Sequence, residues 1–506
     1  MGLAVLALPV LLLALDNSVL FLALPHLDAD LHPSGPQLLW IMDIYGFMIA
    51  GFLITMGTLG DRIGRRRLLL VGAAAFGVAS VFAAYSTSAE MLIVARALLG
   101  VAAATMTPST LALISNLFQD PKQRAFAIGV WMACFSGGTI IGPVVGGVLL
   151  ESFWWGSVFL MGVPVMALLL VLGPALLPEY RDTLAGRLDL TSMAMSLGAV
   201  LPIIYGLKEL AGGGPQGLSA LSIVAGVAVG AAFVRRQRRL SDPLLDLRLL
   251  GNRTFGAALA ILLVGMGIVG GIYLVVTQYL QLVAGLSPLR AGLWMVPAAV
   301  GEMGVAMLAP LIARRVPPAS VVGAGLAISA IGALMLTQVG STLQLAVLVT
   351  GVVVVFLGTS PMMVLSTDVV VESAPPEKGG AAASMLETSG EFGVAMGVAG
   401  LGSIGTAIYR NQIADSVPAA VPPEAADAAH NTLASATDVA GRLPTGIAAE
   451  LLTSAREAFT TALNTVAGVS AVLAAVLAVV AVTVLRHVRP SHEATEHSAE
   501  LQPAGE

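Results

Sequence analysis

Long apolar runs recur along the whole chain, separated by short clusters of charge, glycine and proline. A helix needs about 20 residues to cross a bilayer, and fourteen runs meet that length, predicting spans at 2–25, 38–59, 68–86, 90–113, 125–150, 155–177, 190–210, 217–234, 254–282, 288–312, 319–338, 342–366, 380–408 and 462–486. Residues 409–461, rich in Ala, Pro, Thr and Asp, interrupt the spacing as a long external loop. The end of that loop, ELLTSAREAFTTAL, has the alternation of an amphipathic surface helix. The closing SHEATEHSAELQPAGE is polar and expected to be disordered. The chain opens directly on an apolar run without a basic leader, which favours a first membrane helix over a cleaved signal.

Composition agrees with this pattern: the 506 residues are 57% hydrophobic and 11% charged, against about 25% charged in an average soluble domain. The expected fold class is therefore an all-α polytopic membrane protein. Lys and Arg set its orientation, because short loops rich in them stay cytoplasmic. With the first loop outside, 19 of the 25 fall on cytoplasmic segments, five (Lys208, Arg290, Arg410, Arg442 and Arg456) on the opposite side or external helix ends, and Arg96 alone within a span. Both termini then face the cytoplasm. The net charge of −5 resides in loops and tails and points to no partner, and no basic block suggests nucleic acid. Cys134 is the single cysteine, so no internal disulfide framework exists.

The densest charge sits in the loop Gly57 to Leu70, GTLGDRIGRRRLLL. Asp61, Arg62, Arg65, Arg66 and Arg67 are held between two apolar runs, and Gly57, Gly60 and Gly64 allow close approach and a tight turn. Such a loop serves either as a plain orientation signal or as a gate. A faint internal repeat accompanies it: Ala309 to Val316, APLIARRV, stands in the second half where this loop stands in the first, without the aspartate. The repeat divides the chain into a six-helix bundle (1–180), two inserted helices with flanking cytoplasmic loops (181–253), a second six-helix bundle including the external loop (254–486) and a disordered tail (487–506). Paired bundles of this kind place a substrate site near the midplane between halves.

Charges inside spans are costly, about 2.5–3.5 kcal/mol each on insertion scales, and so need a reason. Asp16 (LLLALDNSVLFLALP) and Asp43 (LLWIMDIYGFMIAG) fall at similar depth in the outer half and are expected to be able to face one cavity, unless Asp43 is close enough to the interface to be hydrated. Glu387 and Glu391, four apart, share one helix face, and two carboxylates that close cannot both ionise cheaply. Glu302 lies mid-span, as a functional acid or as one satisfied by an interhelical hydrogen bond. Arg96 is expected to pair with backbone carbonyls or a carboxylate, or to take part in a proton relay. All six histidines fall in loops or the tail, so a histidine relay or a metal site is not expected.

The fifth span carries Gly129, Gly138, Gly142, Pro143, Gly146 and Gly147. On one helix face these make a groove for close packing, with a bend at Pro143. No phosphate-binding GxxxxGK[ST] loop and no nucleophile elbow is present, and no soluble portion is large enough to bind nucleotide, so neither an enzyme nor an ATP-driven pump is expected.

The loop spacing Gly57, Asp61, Arg62, Gly64, Arg65, Arg66 resembles the motif between helices two and three of the major facilitator superfamily, and the glycine groove resembles the antiporter motif of its proton-driven exporters. With Asp16, Asp43, Arg96 and fourteen spans, nearly the whole chain is similar to the fourteen-helix multidrug:proton antiporter group. The resemblance implies that Asp16 and Asp43 bind cationic drugs or protons, that Glu302, Glu387 and Glu391 serve substrate recognition or proton coupling, and that the groove seals a helix interface. It departs at Leu386, where a member of that group carries a further glutamate. The implied activity is export of lipophilic cations in exchange for protons by alternating access, in a bacterial cell membrane, by a monomer whose only coupling agent is the proton. Asp61 would latch the cytoplasmic side against the facing half. Trp40, Tyr45, Trp131 and Phe392 either stack on a planar cation or serve as interface anchors and core. Two rivals stand: a proton-coupled exporter of a neutral or anionic natural product, antibiotic or lipid, and a non-transporting receptor or regulator.

Overall fold

Most of the chain is helical, and the computed structural model describes residues 2–179, 181, 188–240, 243–245, 247–340, 344–373, 379–414, 416–418 and 420–487, without the side chains at 121, 125, 371, 372 and 379–381. The expected disorder of the tail beyond 487, and the charges Arg187, Lys378 and Arg489, lie outside the described residues. No strand occurs among the described residues. The helices are α1 (Gly2–Leu31), α2 (Gly35–Ile63), α3 (Arg65–Ala84), α4 (Ala89–Leu117), α5 (Pro121–Ser152), α6 (Ser157–Leu160), α7 (Gly162–Leu176), α8 (Leu190–Ala211), α9 (Gln216–Gln237), α10 (Arg253–Gln278), α11 (Pro288–Ala313), α12 (Pro318–Leu336), α13 (Leu345–Ser373), α14 (Gly379–Ala414), α15 (Pro423–Asn431), α16 (Leu433–Ala440) and α17 (Thr445–Val484). With α6 and α7 joined as one crossing, fourteen helices are long and apolar enough to span, matching the fourteen predicted runs.

Helix ends follow local chemistry. Ser34 and Gln37 form a reciprocal capping box at the start of α2, Asp120 caps α5, and Ser287 caps α11, each satisfying amides that the first helical turn leaves unpaired. Two expectations shift. Helix α1 runs through Pro25 to Leu31 rather than ending there, which places His26 in a helix and not a loop. The ELLTSAREAFTTAL segment does not lie on the membrane surface: it is continuous with the last span, in the 40-residue α17. Its apolar stripe, Leu451, Ala455, Ala458, Phe459 and Ala462, is buried against the protein. Helical periodicity reveals such a stripe without saying which surface it meets.

Helices α1 to α7 pack chiefly on one another, as do α10 to α14 with α17, while α8 and α9 form a hairpin. Two seams join these sets. Along the first, Gly46 of α2 faces Ala395 of α14, Leu39 abuts Gly402, and Gly35 abuts Thr406. Along the second, Gly147 of α5 lies on the backbone of Leu289, and Gly292 of α11 on the carbonyl of Pro143. All of these residues lie in the outer half of the membrane, given that α2 and α11 begin outside. Toward the cytoplasm the same helices part: Gly57 of α2, Gly129 of α5 and Gly390 of α14 look into open space. The outer side is closed and the inner side open.

The seam at Gly147 sets a test. A side chain there meets backbone that cannot rotate away, so Gly147→Val should destabilise by about 1–3 kcal/mol through overpacking. Gly129→Ala, pointing into space, should stay within about 0.5 kcal/mol. Thermal unfolding of both purified variants in detergent measures the contrast.

Candidate functional site

The most deeply buried charge is Arg96 of α4, with 0% of its surface exposed. Its Nη1 donates to Asp16 Oδ2 of α1 at 2.8 Å, its Nε to the Ile41 carbonyl of α2 at 3.3 Å, and its guanidinium lies over the Tyr45 ring at 4.3 Å from the centroid. Arginine cannot shed its proton, so burial obliges a carboxylate to accompany it. One side chain thus joins α1, α2 and α4, through both the carboxylate and the carbonyl expected of it.

Asp43 does not share that cavity. Residues two apart on a helix point to nearly opposite sides; Tyr45 turns toward Arg96, whereas Asp43 turns toward α8. There Lys208 Nζ donates to Asp43 Oδ1 at 2.7 Å and stands 2.6 Å from Oδ2, and it also lies 3.8 Å above the Trp40 ring. Both charged side chains are buried. Lys208, expected at the outer end of its span, is instead a full interior partner. Its only sequence signal is a position inside an apolar run, three residues before Ala211 ends the helix. A further interior acid, Asp28 of α1, also escaped the sequence reading. It accepts hydrogen bonds from Thr432 Oγ1 at 2.6 Å and Ser435 Oγ at 3.4 Å, fastening α1 to the external α15–α16 segment above a seam cavity of about 50 Å³.

The acids of the second set are held differently. Glu302 of α11 and Glu387 and Glu391 of α14 are half-buried, and no hydrogen bond or ion pair engages their carboxylates among the described residues. Glu387 and Glu391, four apart, share one face of α14. The backbone of Glu391 lies against Gly46 of α2, next in the chain to the Tyr45 that covers Arg96. Glu302 instead acts on Tyr273 of α10, whose hydroxyl is buried without a partner and whose ring meets Phe21 of α1 edge-on at 4.7 Å. The hydrogen bond at Glu302 involves its backbone carbonyl, which accepts from Ser360 Oγ at 2.7 Å, not its carboxylate. Asp16 and Asp43 are therefore neutralised within the protein, whereas Glu302, Glu387 and Glu391 remain without partners.

The aromatics sort in the same way. Trp40 and Tyr45 already carry protein cations on their faces. Trp131 Nε1 donates to Thr110 Oγ1 at 3.1 Å. Phe392 packs edge-on to Phe47 at 5.7 Å, in the apolar cluster that Phe47 forms with Ile204 of α8 and Ala395 of α14.

In the α5 groove, Gly138 packs against Leu11 and Ala14, Gly142 against Ser18 and Gly146 against Val19, all on α1, while Pro143 and Gly147 meet α11. One glycine run thus serves an interface within the first set and the outer seam between sets; Gly129 takes part in neither. The charged loop departs from expectation at Asp61. Its Oδ1 accepts from Arg65 Nε at 2.8 Å and stands 2.7 Å from Nη2, one turn away, and it does not reach the facing half, because the cytoplasmic ends stand apart. The loop's outside partner is Glu179, unsuspected from sequence: its Oε1 accepts from the Arg66 amide at 3.1 Å, and its Oε2 lies 3.7 Å from both Arg66 and Arg67 Nε. Gly64, with φ at 111°, brings its backbone so close that a side chain there would strike Glu179. Arg181 adds a hydrogen bond to the Ile63 carbonyl at 3.1 Å, and Arg62 makes none of these contacts.

A family model described as Major Facilitator Superfamily matches residues 6–398. The multidrug efflux pump LfrA of Mycolicibacterium smegmatis is 45% identical over 473 residues, covering 93% of each chain. The methyl viologen resistance protein SmvA of Salmonella typhimurium is 34% identical, covering 88% of this chain and 90% of its own. The tetracenomycin C resistance and export protein of Streptomyces glaucescens is 30% identical, covering 93% and 89%. A solved structure, a bacterial homolog to the human lysosomal transporter Spinster in an inward-facing and unoccupied conformation, shares the fold with TM-score 0.68 at 17% identity, covering 96% of this chain and 98% of that one. The chain belongs to the Major Facilitator Superfamily; it is a multi-pass protein of the bacterial inner membrane and a transporter, not an enzyme.

Removing one partner of a buried pair leaves an uncompensated charge. Asp16→Asn should therefore cost about 3–5 kcal/mol, read as a lower midpoint in thermal unfolding. Asp16→Asn combined with Arg96→Met should recover most of the loss in the same measurement.

Proposed function

We propose that this superfamily member exports lipophilic organic cations in exchange for protons, by alternating access. That it is an efflux transporter at all is supported by relatives over nearly its full length, including a multidrug efflux pump. The cation reading rests on one observation: within the α14 span the carboxylates of Glu387 and Glu391 engage no hydrogen bond or ion pair among the described residues, and Gly390 between them borders open space. A carboxylate without a partner in a low-dielectric setting has use for either a proton or an organic cation, and the two compete for it. SmvA, a relative named for resistance to methyl viologen, an aromatic dication, is in keeping with such a site.

The geometry supports the following cycle. With the inner side open, a cation reaches Glu387 and Glu391 from the cytoplasm or inner leaflet, its charge taken by the carboxylates as their protons leave. The halves then rock, closing inside and parting at the outer seams of α2 with α14 and α5 with α11. The cation leaves, and external protons reload the acids. Glu302, coupled to Tyr273, provides a second proton-accepting position in the same half. Asp16 holds Arg96 in place, and through it Tyr45, opposite the α14 acids. On this reading the proton is the coupling agent, and one copy contains every group named.

A second reading has its own support. Leu386 places an apolar side chain beside Glu387, and one relative of similar coverage is named for tetracenomycin C export. On that reading the same acids couple protons to a neutral or anionic natural product.

Ethidium efflux from loaded cells separates the two. The intact protein should clear ethidium, a protonophore should abolish clearance, and Glu387→Gln and Glu391→Gln should each reduce it about tenfold or more at equal membrane abundance, as loss of a charge-assisted contact worth 1.5–3 kcal/mol implies. A well-expressed protein that moves no ethidium would favour the natural-product reading.

A further inference from the structure

The pair formed by Lys208 and Asp43 has no task in that cycle, yet it is among the most completely buried ionic contacts in the protein. Lys208 belongs to α8, the first helix of the α8–α9 hairpin. The cytoplasmic base of that hairpin is bound to itself: Arg236 Nη2 of α9 donates to Asp189 Oδ1 at 2.9 Å, and Gln237 Nε2 donates to Ser192 Oγ at 2.6 Å. Burial works to raise the Asp189 carboxyl, but hydrogen bonds from Ser192 and Arg236 outweigh it and hold the group below its ordinary range.

Beyond itself the hairpin touches both halves, and differently. Against α2 it makes contacts spread along the helix: Gly212 on Pro36, Lys208 on Asp43 and Trp40, and Leu197 on Gly51. Against α14, α8 offers an apolar face, Ile204 clustering with Phe47 of α2 and with Ala395 and Ala399 of α14, while the outer turn of the hairpin at Gly213 lies against the guanidinium of Arg410. No hydrogen bond or ion pair joins α8 to α14 among the described residues. Helix α9 exposes Leu221, Val224 and Val227 outward.

Apolar packing alone fixes a helix poorly in a bilayer, because lipid tails are as apolar as leucine. A buried ion pair fixes partner and register, since separating it would strand two charges in hydrocarbon. We propose that Lys208 and Asp43 are positioning residues that fasten the α8–α9 hairpin to the first half through α2, so that the hairpin travels with that half while α14 moves along the apolar face of α8. On this view Asp43 carries neither drug nor proton, its cation being a permanent part of the chain, and Trp40 completes a site whose occupant is Lys208.

Because Cys134 is the only cysteine, a Cys134→Ser parent allows paired cysteines to report the motion. Bridging Gly51→Cys to Leu197→Cys joins α2 to α8, and ethidium clearance should remain within about twofold of the unbridged protein. Bridging Ile204→Cys to Ala399→Cys joins α8 to α14, and clearance should be lost on oxidation and return on reduction. Loss in the first bridge, or full clearance with the second closed, overturns the proposal. The exchanged pair Asp43→Lys with Lys208→Asp gives a readout independent of any substrate. Each single substitution should lower the unfolding midpoint by about 5–10 °C, and the exchange should restore most of it; an exchange no more stable than the single variants overturns the fastening. Should the parent clear no ethidium, the cation reading fails while this stability comparison still decides the pairing. Clearance by the exchanged protein should also return; a stable exchanged protein without clearance overturns the claim that Asp43 carries neither drug nor proton.

Discussion

The cost of a charge in hydrocarbon governs this structure, and Arg96 shows it most directly. A guanidinium that cannot be neutralised lies fully buried in α4, so Asp16, the Ile41 carbonyl and the Tyr45 face must all converge on it. That convergence fixes how α1, α2 and α4 are rotated about their own axes. Once Tyr45 faces inward, Asp43 must face the other way, and the lipid side of α2 acquires a carboxylate that only another buried cation can satisfy. Lys208 supplies it, which is why the α8–α9 hairpin docks where it does.

The same cost divides the acids into two kinds. In the first half Asp16 and Asp43 are matched by fixed cations and Asp28 by two hydroxyls. Those of the second half, Glu302, Glu387 and Glu391, have no protein cation among the described residues, and an acid in that setting has use for a mobile partner. Proton and organic cation are the two candidates of suitable charge, and exchange between them is what an antiporter performs. Site and scaffold are thus distinguished by whether a partner is built into the chain.

Small residues provide the complementary constraint. Closure of the outer side depends on backbones meeting at Gly147 with Leu289 and at Pro143 with Gly292, approaches that a larger side chain would forbid. The open inner side leaves Asp61 bound to Arg65 within its own loop, while Glu179 gathers Arg66 and Arg67 from the end of the same half. The loop therefore behaves as a rigid corner of the first half in this conformation.

By itself the sequence determined the fourteen crossings, their orientation and, Asp28 apart, the interior acids, because hydropathy and charge are sums over neighbouring residues and the bilayer reads them that way. It also marked the α5 glycines as a packing face, since their spacing matches the helical turn. Tertiary structure alone decided which charges meet. Asp16 and Asp43 lie at similar depth, but the rotation of α2 sends them to different partners; Lys208 looked like a helix-end lysine until α8 was placed against α2; Glu179 and Asp28 became visible only when distant segments folded over them. The amphipathic stripe of 450–463 likewise carried its period in sequence and its contact surface only in the fold. Local composition sets what may enter the membrane, whereas pairing depends on azimuth and neighbour, which arise only when all the helices pack together.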